Sequence, residues 1–226
     1  DGIYQVDDFY TSAATGKLIL KPGITNNTRY DGGAAPGVVK YKDQNGDGKI
    51  TTADRTVIGN AMPKWFGGIT NSFSFKGIDF SFMLQYSYGN DVFNATRQFA
   101  TGSQDQRYNM LAEVADRWSP TNASNKVPST KGYVKGDVYS RFVEDGSFLR
   151  LKNMTLGYSL PKKWINKIHI SKLRIYGTAQ NLFCISGYSG YDPEVSTAAS
   201  NPMTPGLDWG AYPKSRGFTF GLDVQF

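Results

Sequence analysis

From Gly217 to Phe226 apolar and polar residues alternate without a break: Phe218, Phe220, Leu222, Val224 and Phe226 against Thr219, Gly221, Asp223 and Gln225. Successive side chains of a strand point to opposite faces, so this segment makes a ribbon with one apolar flank and one polar flank. Termini fray, and an uncovered row of large apolar side chains is costly in water. Hydrocarbon on one flank and water on the other removes that conflict, which is the situation of a strand in a transmembrane β-barrel.

The same alternation recurs upstream. Trp65, Gly67, Ile69, Phe73 and Phe75 share one face, with Asn71 the exception, and Ile78, Phe80, Phe82, Leu84, Tyr86 and Tyr88 share another. A two-residue loop at Lys76-Gly77 pairs Phe75 with Ile78 and Ile69 with Leu84, so the two apolar sets merge into one surface. Trp65 and Tyr88 then meet at the far end, where a barrel carries its aromatic girdle. Further strands are predicted at 148–160, with Met154, Leu156, Tyr158 and Leu160 on one face, and at 172–182, followed by 217–226. The hairpin strands 65–75 and 78–88 each have about the 9–11 residues that a tilted membrane strand needs. The joins at 76–77 and 161–171 are short, whereas 1–64, 89–147 and 183–216 are long. Short turns at one rim and long extracellular loops at the other suit an outer-membrane barrel.

The fold expected is therefore all-β: an antiparallel transmembrane β-barrel segment of about five strands spanning 65–226, preceded by an extracellular loop region at 1–64. Turn signals fill that first region at Pro22-Gly23, Asp31-Gly32-Gly33 and Pro36-Gly37. In the 89–147 loop, Leu111, Val114, Ala115 and Trp118 fall at helical spacing before Pro120 and predict a short amphipathic helix. Five strands cannot close a barrel, since small ones take about eight, and unpaired strand edges are not tolerated in lipid. Either the chain is part of a larger barrel, or several copies share one.

Bulk properties narrow the function classes. There is no apolar run of about 18 residues, hence no transmembrane helix. The first residues, Asp1-Gly2-Ile3-Tyr4, lack a basic region and an apolar core, so they do not form a signal peptide. One cysteine excludes an internal disulfide framework. The net charge of +6 comes from scattered Lys and Arg rather than a basic cluster, which argues against nucleic acid as a partner.

The sharpest chemical motif is the loop 43–54. Asp43, Asn45 and Asp47 stand at its positions 1, 3 and 5, Gly48 at 6, the Lys49 carbonyl at 7, Thr51 at 9 and Asp54 at 12. Hard oxygen ligands at this spacing suit calcium in a structural role. The last position departs from the EF-hand pattern, with Asp in place of Glu, and the loop resembles the calcium loop of dockerin modules.

Several longer stretches carry a family resemblance: Gly37 to Gly48, Asp54 to Asn60, Phe80 to Asn94, Asp116-Arg-Trp-Ser-Pro120, Phe148 to Tyr158, Gln180-Asn-Leu-Phe183, Gly190-Tyr-Asp-Pro-Glu194 and the last strand. With these, the chain resembles the C-terminal portion of a SusC/RagA-type TonB-dependent outer-membrane transporter. The resemblance implies a 22-stranded barrel with an N-terminal plug, in the outer membrane of a Gram-negative bacterium. It further implies energy through TonB, a SusD-type lipoprotein lid, and import of oligosaccharides or peptides. No plug, TonB box or earlier strand is legible in these residues.

An alternative reading is a soluble calcium-stabilised β-sandwich that binds carbohydrate. Catalysis is not expected. His169, the one histidine, sits in a turn beside Ile168 and Ile170, and Cys184 reads as a small buried apolar residue. Asp192 and Glu194 flank Pro193, and nothing else in the sequence supports paired-carboxylate chemistry there.

Overall fold

A computed structural model describes residues 2–29, 33–102, 107–134, 136–165, 169–197 and 203–226. Asp31 and Gly32 of the expected turn, and residues 166–168 of the join before the fourth long strand, lie outside that set. The chain forms two units, one of Asp1–Ile58 with Ala95–Phe142, the other of Gly59–Asn94 with Val143–Phe226.

The first unit is built from short pieces. Strand β1 (Gly2–Ile3) pairs antiparallel with β4 (Val39–Lys40), and β2 (Phe9–Thr11) with β3 (Leu18–Leu20). Tyr4, Phe9 and Val38 form its core, with Leu20, Ile24, Ala34 and Ala35 packed against them. The Tyr4 hydroxyl donates to the Thr25 carbonyl at 2.5 Å, and burial pushes its pKa up to about 12. A second buried group joins Tyr133, Tyr139 and Phe142, with Tyr139 stacked on Tyr41 at 5.8 Å.

The helix of this unit is α1 (Ala95–Gly102), ahead of the segment where the spacing predicts one. At 111–118 the chain makes instead a 3-10 helix over Ala112–Asp116, flanked by extended Leu111 and Arg117. Pro120 biases the residue before it away from helix, and so few residues cannot offset the cost of nucleating an α-helix. Val114 and Trp118 are nonetheless buried, while Leu111 is exposed.

The second unit holds a five-stranded antiparallel sheet. Its strands are β5 (Trp65–Phe75), β6 (Ile78–Tyr88), β9 (Phe148–Ser159), β10 (Lys172–Ser186) and β12 (Gly217–Gln225), in spatial order β12-β10-β9-β6-β5. A small sheet in the same unit pairs β7 (Asp91–Asn94) with β8 (Val143–Asp145) and β11 (Leu207–Asp208). A four-residue helix, α2 (Lys162–Ile165), opens the join between β9 and β10.

The β5–β6 hairpin has the register that a two-residue loop dictates: Trp65 faces Tyr88, Ile69 faces Leu84 and Phe75 faces Ile78. Lys76 and Gly77 both have positive φ, 48° and 86°, which a type I′ turn requires at both central positions. The apolar row crosses all five strands, through Phe73, Phe80, Leu156, Gly177 and Phe220. Phe73, Leu156 and Phe220 are 58%, 54% and 85% exposed, so this flank is not the inside of a stacked sandwich. The strands β5 and β12 pair on one side only among the described residues, leaving the barrel open.

The strand β10 runs on to Ser186, past its predicted end at 182. Its pairing with β9 shifts between Gln180 and Phe183, where Asn181 has φ 49°. The pairing of β6 with β9 shifts beside it: Met83 faces Asn153 but Leu84 faces Leu151, which makes Lys152 an extra residue. Unbroken alternation would put Lys152 and Arg150 in the row of Met154, on the apolar flank. The bulge reverses the parity, sends Leu151 and Leu149 to that flank and turns Arg150 inward opposite Gln85 and Cys184.

Candidate functional site

The polar flank of the sheet is where function can reside, because it is the side that faces water in a barrel. Two ion networks organise it. The first lies near the β5–β6 turn. Arg174 on β10 makes a two-toothed contact with Asp79 on β6, at 2.9 and 2.6 Å, and reaches Asp223 on β12 at 3.3 Å. The strand β9 runs between β10 and β6 there, and its residue at that point is Gly157. A Cβ on Gly157 would stand 2.6 Å from both Arg174 and Asp79, so the bridge needs a residue with no side chain. The Arg174 guanidinium also lies 4.7 Å from the Tyr176 ring centre.

The second network ties the 187–216 loop to the sheet. Arg150, 3% exposed, holds Asp192, also 3% exposed, at 2.5 Å. Asp192 further accepts the backbone N–H groups of Glu194 at 2.9 Å and Lys214 at 3.3 Å. Glu194 lies 2.5 Å from the Lys214 ammonium, 3.6 Å from that of Lys152 and 3.4 Å from Arg150 Nε, and accepts from Gln85 Nε2 at 3.4 Å. Burial works against ionised Glu194, but Lys214 and its neighbours hold its pKa below the ordinary carboxylate value. The carboxylates flanking Pro193 are thus enclosed by three cations, an arrangement that suits anchoring rather than proton transfer. Cys184, expected to be buried, is half-buried and faces the polar flank opposite Arg150. His169 is exposed, with φ 55°.

The loop 43–54 folds as a chain of side-chain-to-backbone turns. Asp43 accepts from the N–H groups of Gly46 (2.7 Å) and Gly48 (2.8 Å), Asn45 from that of Asp47 (2.9 Å), and Asp47 from that of Lys49 (2.8 Å). Asp54 closes the loop on itself, accepting from Gln44 N at 3.0 Å and Thr51 N at 2.7 Å. These bonds lower its pKa, Thr51 contributing most. The Thr51 hydroxyl accepts from Ala53 N and caps the 3-10 helix Thr52–Asp54. The two ends of the loop are brought together, and each carboxylate keeps acceptor capacity beyond its backbone bonds. Among the described residues no group of three His, Cys, Asp or Glu side chains stands together as a ready-made metal cluster.

Sequence reasoning missed Arg150 as an organising residue. The available signal was an arginine and a lysine, 150 and 152, in the middle of an otherwise alternating strand: on the lipid flank they would be prohibitively placed, so a parity change was required.

Similarity to known proteins decides the family. No family model matches the chain. The TonB-dependent receptor P3 of Formosa agariphila is 34% identical over 230 residues, covering all of this chain and 21% of the receptor. The TonB-dependent receptor SusC of Bacteroides thetaiotaomicron is 32% identical over 199 residues, 87% of this chain and 18% of SusC. This chain belongs to the SusC/RagA-type TonB-dependent receptors. A solved RagAB peptide transporter superposes with a TM-score of 0.68 at 23% identity, over 97% of this chain and 24% of that one, and shows the same fold. The receptor segment spans about a fifth of the length of the curated relatives it matches.

Proposed function

We propose that the receptor containing this segment is a TonB-dependent importer of oligosaccharides or peptides in the outer membrane of a Gram-negative bacterium. In this reading it works under a SusD-type lipoprotein lid, and a plug and TonB contact come from parts of the protein outside this segment. The observation that carries the reading is the sided sheet, apolar and exposed on one flank and polar with fixed ion networks on the other, in a chain that matches one TonB-dependent receptor along its whole length. The structurally similar RagAB complex is a peptide importer, which supports an oligomeric nutrient as cargo. The test is accumulation of labelled oligomers by cells with and without the full-length receptor. Uptake should vanish on deletion and on collapse of the proton-motive force; equal uptake in the deletion strain would refute the importer.

We further propose that the loop 43–54 takes calcium, with Asp43, Asn45, Asp47, the Lys49 carbonyl, Thr51 and Asp54 as its ligands and a structural role. The hard-oxygen donors and their twelve-residue spacing support this. Calcium should raise the thermal midpoint of the receptor, and Asp43→Ala with Asp47→Ala should abolish that rise. An unchanged calcium response in the double variant removes the metal from this loop.

A further inference from the structure

The first unit contains a cleft of about 970 Å³, in the range of sites that hold small ligands. Its charge is lopsided. Among the described residues seven cationic and three anionic side chains line it. Each of the three anions is engaged within the unit. Asp137 is held by Arg29 and by the Tyr41 hydroxyl at 2.7 Å. Glu113 is held by Arg97 at 2.8 Å and lies 3.6 Å from Arg141. Asp54 is bound by the Gln44 and Thr51 N–H groups. Lys42, Arg55 and Lys126 are exposed and make no salt bridge within 4.0 Å among the described residues, although Arg55 acts on Asp137 from farther off. The cleft therefore presents uncompensated positive charge between walls that also offer the neutral polar groups of Gln44, Asn125 and Ser140.

We propose that this cleft binds an acidic oligosaccharide, held through carboxylate or sulfate groups by Lys42, Arg55 and Lys126. The inference rests on the importer reading and names a cargo class for it. A concave surface of one charge sign concentrates an oppositely charged ligand, and a polyanion of sugars offers hydroxyls as well as charges to the amides and hydroxyls of the walls. The strands at this cleft, β1 and β4, have two residues each and pair with each other, so they offer a peptide little free edge for backbone pairing.

The test is titration of the full-length receptor in detergent with a short oligouronate and with a neutral oligosaccharide of equal length, across a salt series. The oligouronate should bind more tightly, and salt should weaken it. Lys42→Ala, Arg55→Ala and Lys126→Ala together should weaken it roughly tenfold, because three exposed charges that face the ligand are removed. The charge-keeping set Lys42→Arg, Arg55→Lys and Lys126→Arg should retain it. Equal binding of acidic and neutral sugars, an unaffected triple alanine variant, or equal competition by oligoglutamate overturns the proposal. If the receptor still imports another oligomer, the cleft proposal alone falls and the importer stands; if it imports none, the importer falls too.

Discussion

Arg150→Ala should destabilise the receptor by about 3–5 kcal/mol, the range for removing one partner of a buried ion pair. The reason lies in what remains. Asp192, 3% exposed beside Arg150, would keep its bonds to two backbone N–H groups but lose its guanidinium. Its charge would have lost access to water without gaining a cation in exchange. Lys214 contacts Glu194 rather than Asp192 through its ammonium, so it does not replace the missing charge in place. The loop it anchors would loosen from the sheet, and protease cutting within 187–216 should rise in parallel with the loss of stability. A second variant separates charge burial from packing: Arg150→Met with Asp192→Leu removes both charges and should recover much of the loss. Denaturant unfolding of the full receptor measures both. A penalty below about 1 kcal/mol for Arg150→Ala, the level of a surface pair, would mean that the contact does not anchor the loop.

What the sequence made legible follows from which interactions are local. The β5–β6 hairpin could be read outright, because a two-residue turn and a period of two leave one register open. The last strand could be read for the same reason. Arg174, Asp79 and Asp223 each fall on the polar flank by parity, and Arg174 pairs directly with Asp223 once β10 and β12 align. The bulges could be read only indirectly. Nothing in the types of Lys152 or Asn181 announces an extra residue; only the energetic conflict of Arg150 on the lipid flank implies one. The Arg150–Asp192 pair bridges 42 positions in sequence, and no local pattern carries that contact. The helix α1 escaped because Phe99 is the one large apolar side chain in Ala95–Gly102, too few to mark a periodic stripe. The cleft escaped for a different reason: residues before 58 and after 95 fold into one unit, so its walls come from segments that the alternating strands separate. The loop 43–54 shows the reverse case: its Asx-type turns are local, so the bonds from Asp43, Asn45 and Asp47 to the next N–H groups follow from residue type and spacing.

Phe82→Arg should cost about 2–4 kcal/mol if the apolar flank meets hydrocarbon, the scale for arginine near the midplane of a barrel wall. Phe82 lies near the middle of the eleven-residue β6, stacked on Phe73 at 6.4 Å and tilted against Phe80 at 5.7 Å. Directly opposite it on the flank stand Asn71 and Met154, so no acidic side chain is there to pair with the new charge. Arginine at that depth must bend toward the membrane surface or draw water in, and either distorts the wall. Ser72 supplies the control. It pairs with Ser81 on the polar flank, where an added guanidinium can stay hydrated, so Ser72→Arg should cost far less. Denaturant titration of the full receptor in lipid, with the folded barrel followed by its heat-dependent gel mobility, reads both variants. The comparison is sharper than either value alone, since strand propensity and expression affect both positions alike, whereas the medium on each flank does not. Equal losses at positions 72 and 82 would mean that both flanks see the same solvent, and the assignment of lipid to one side of this sheet would be wrong.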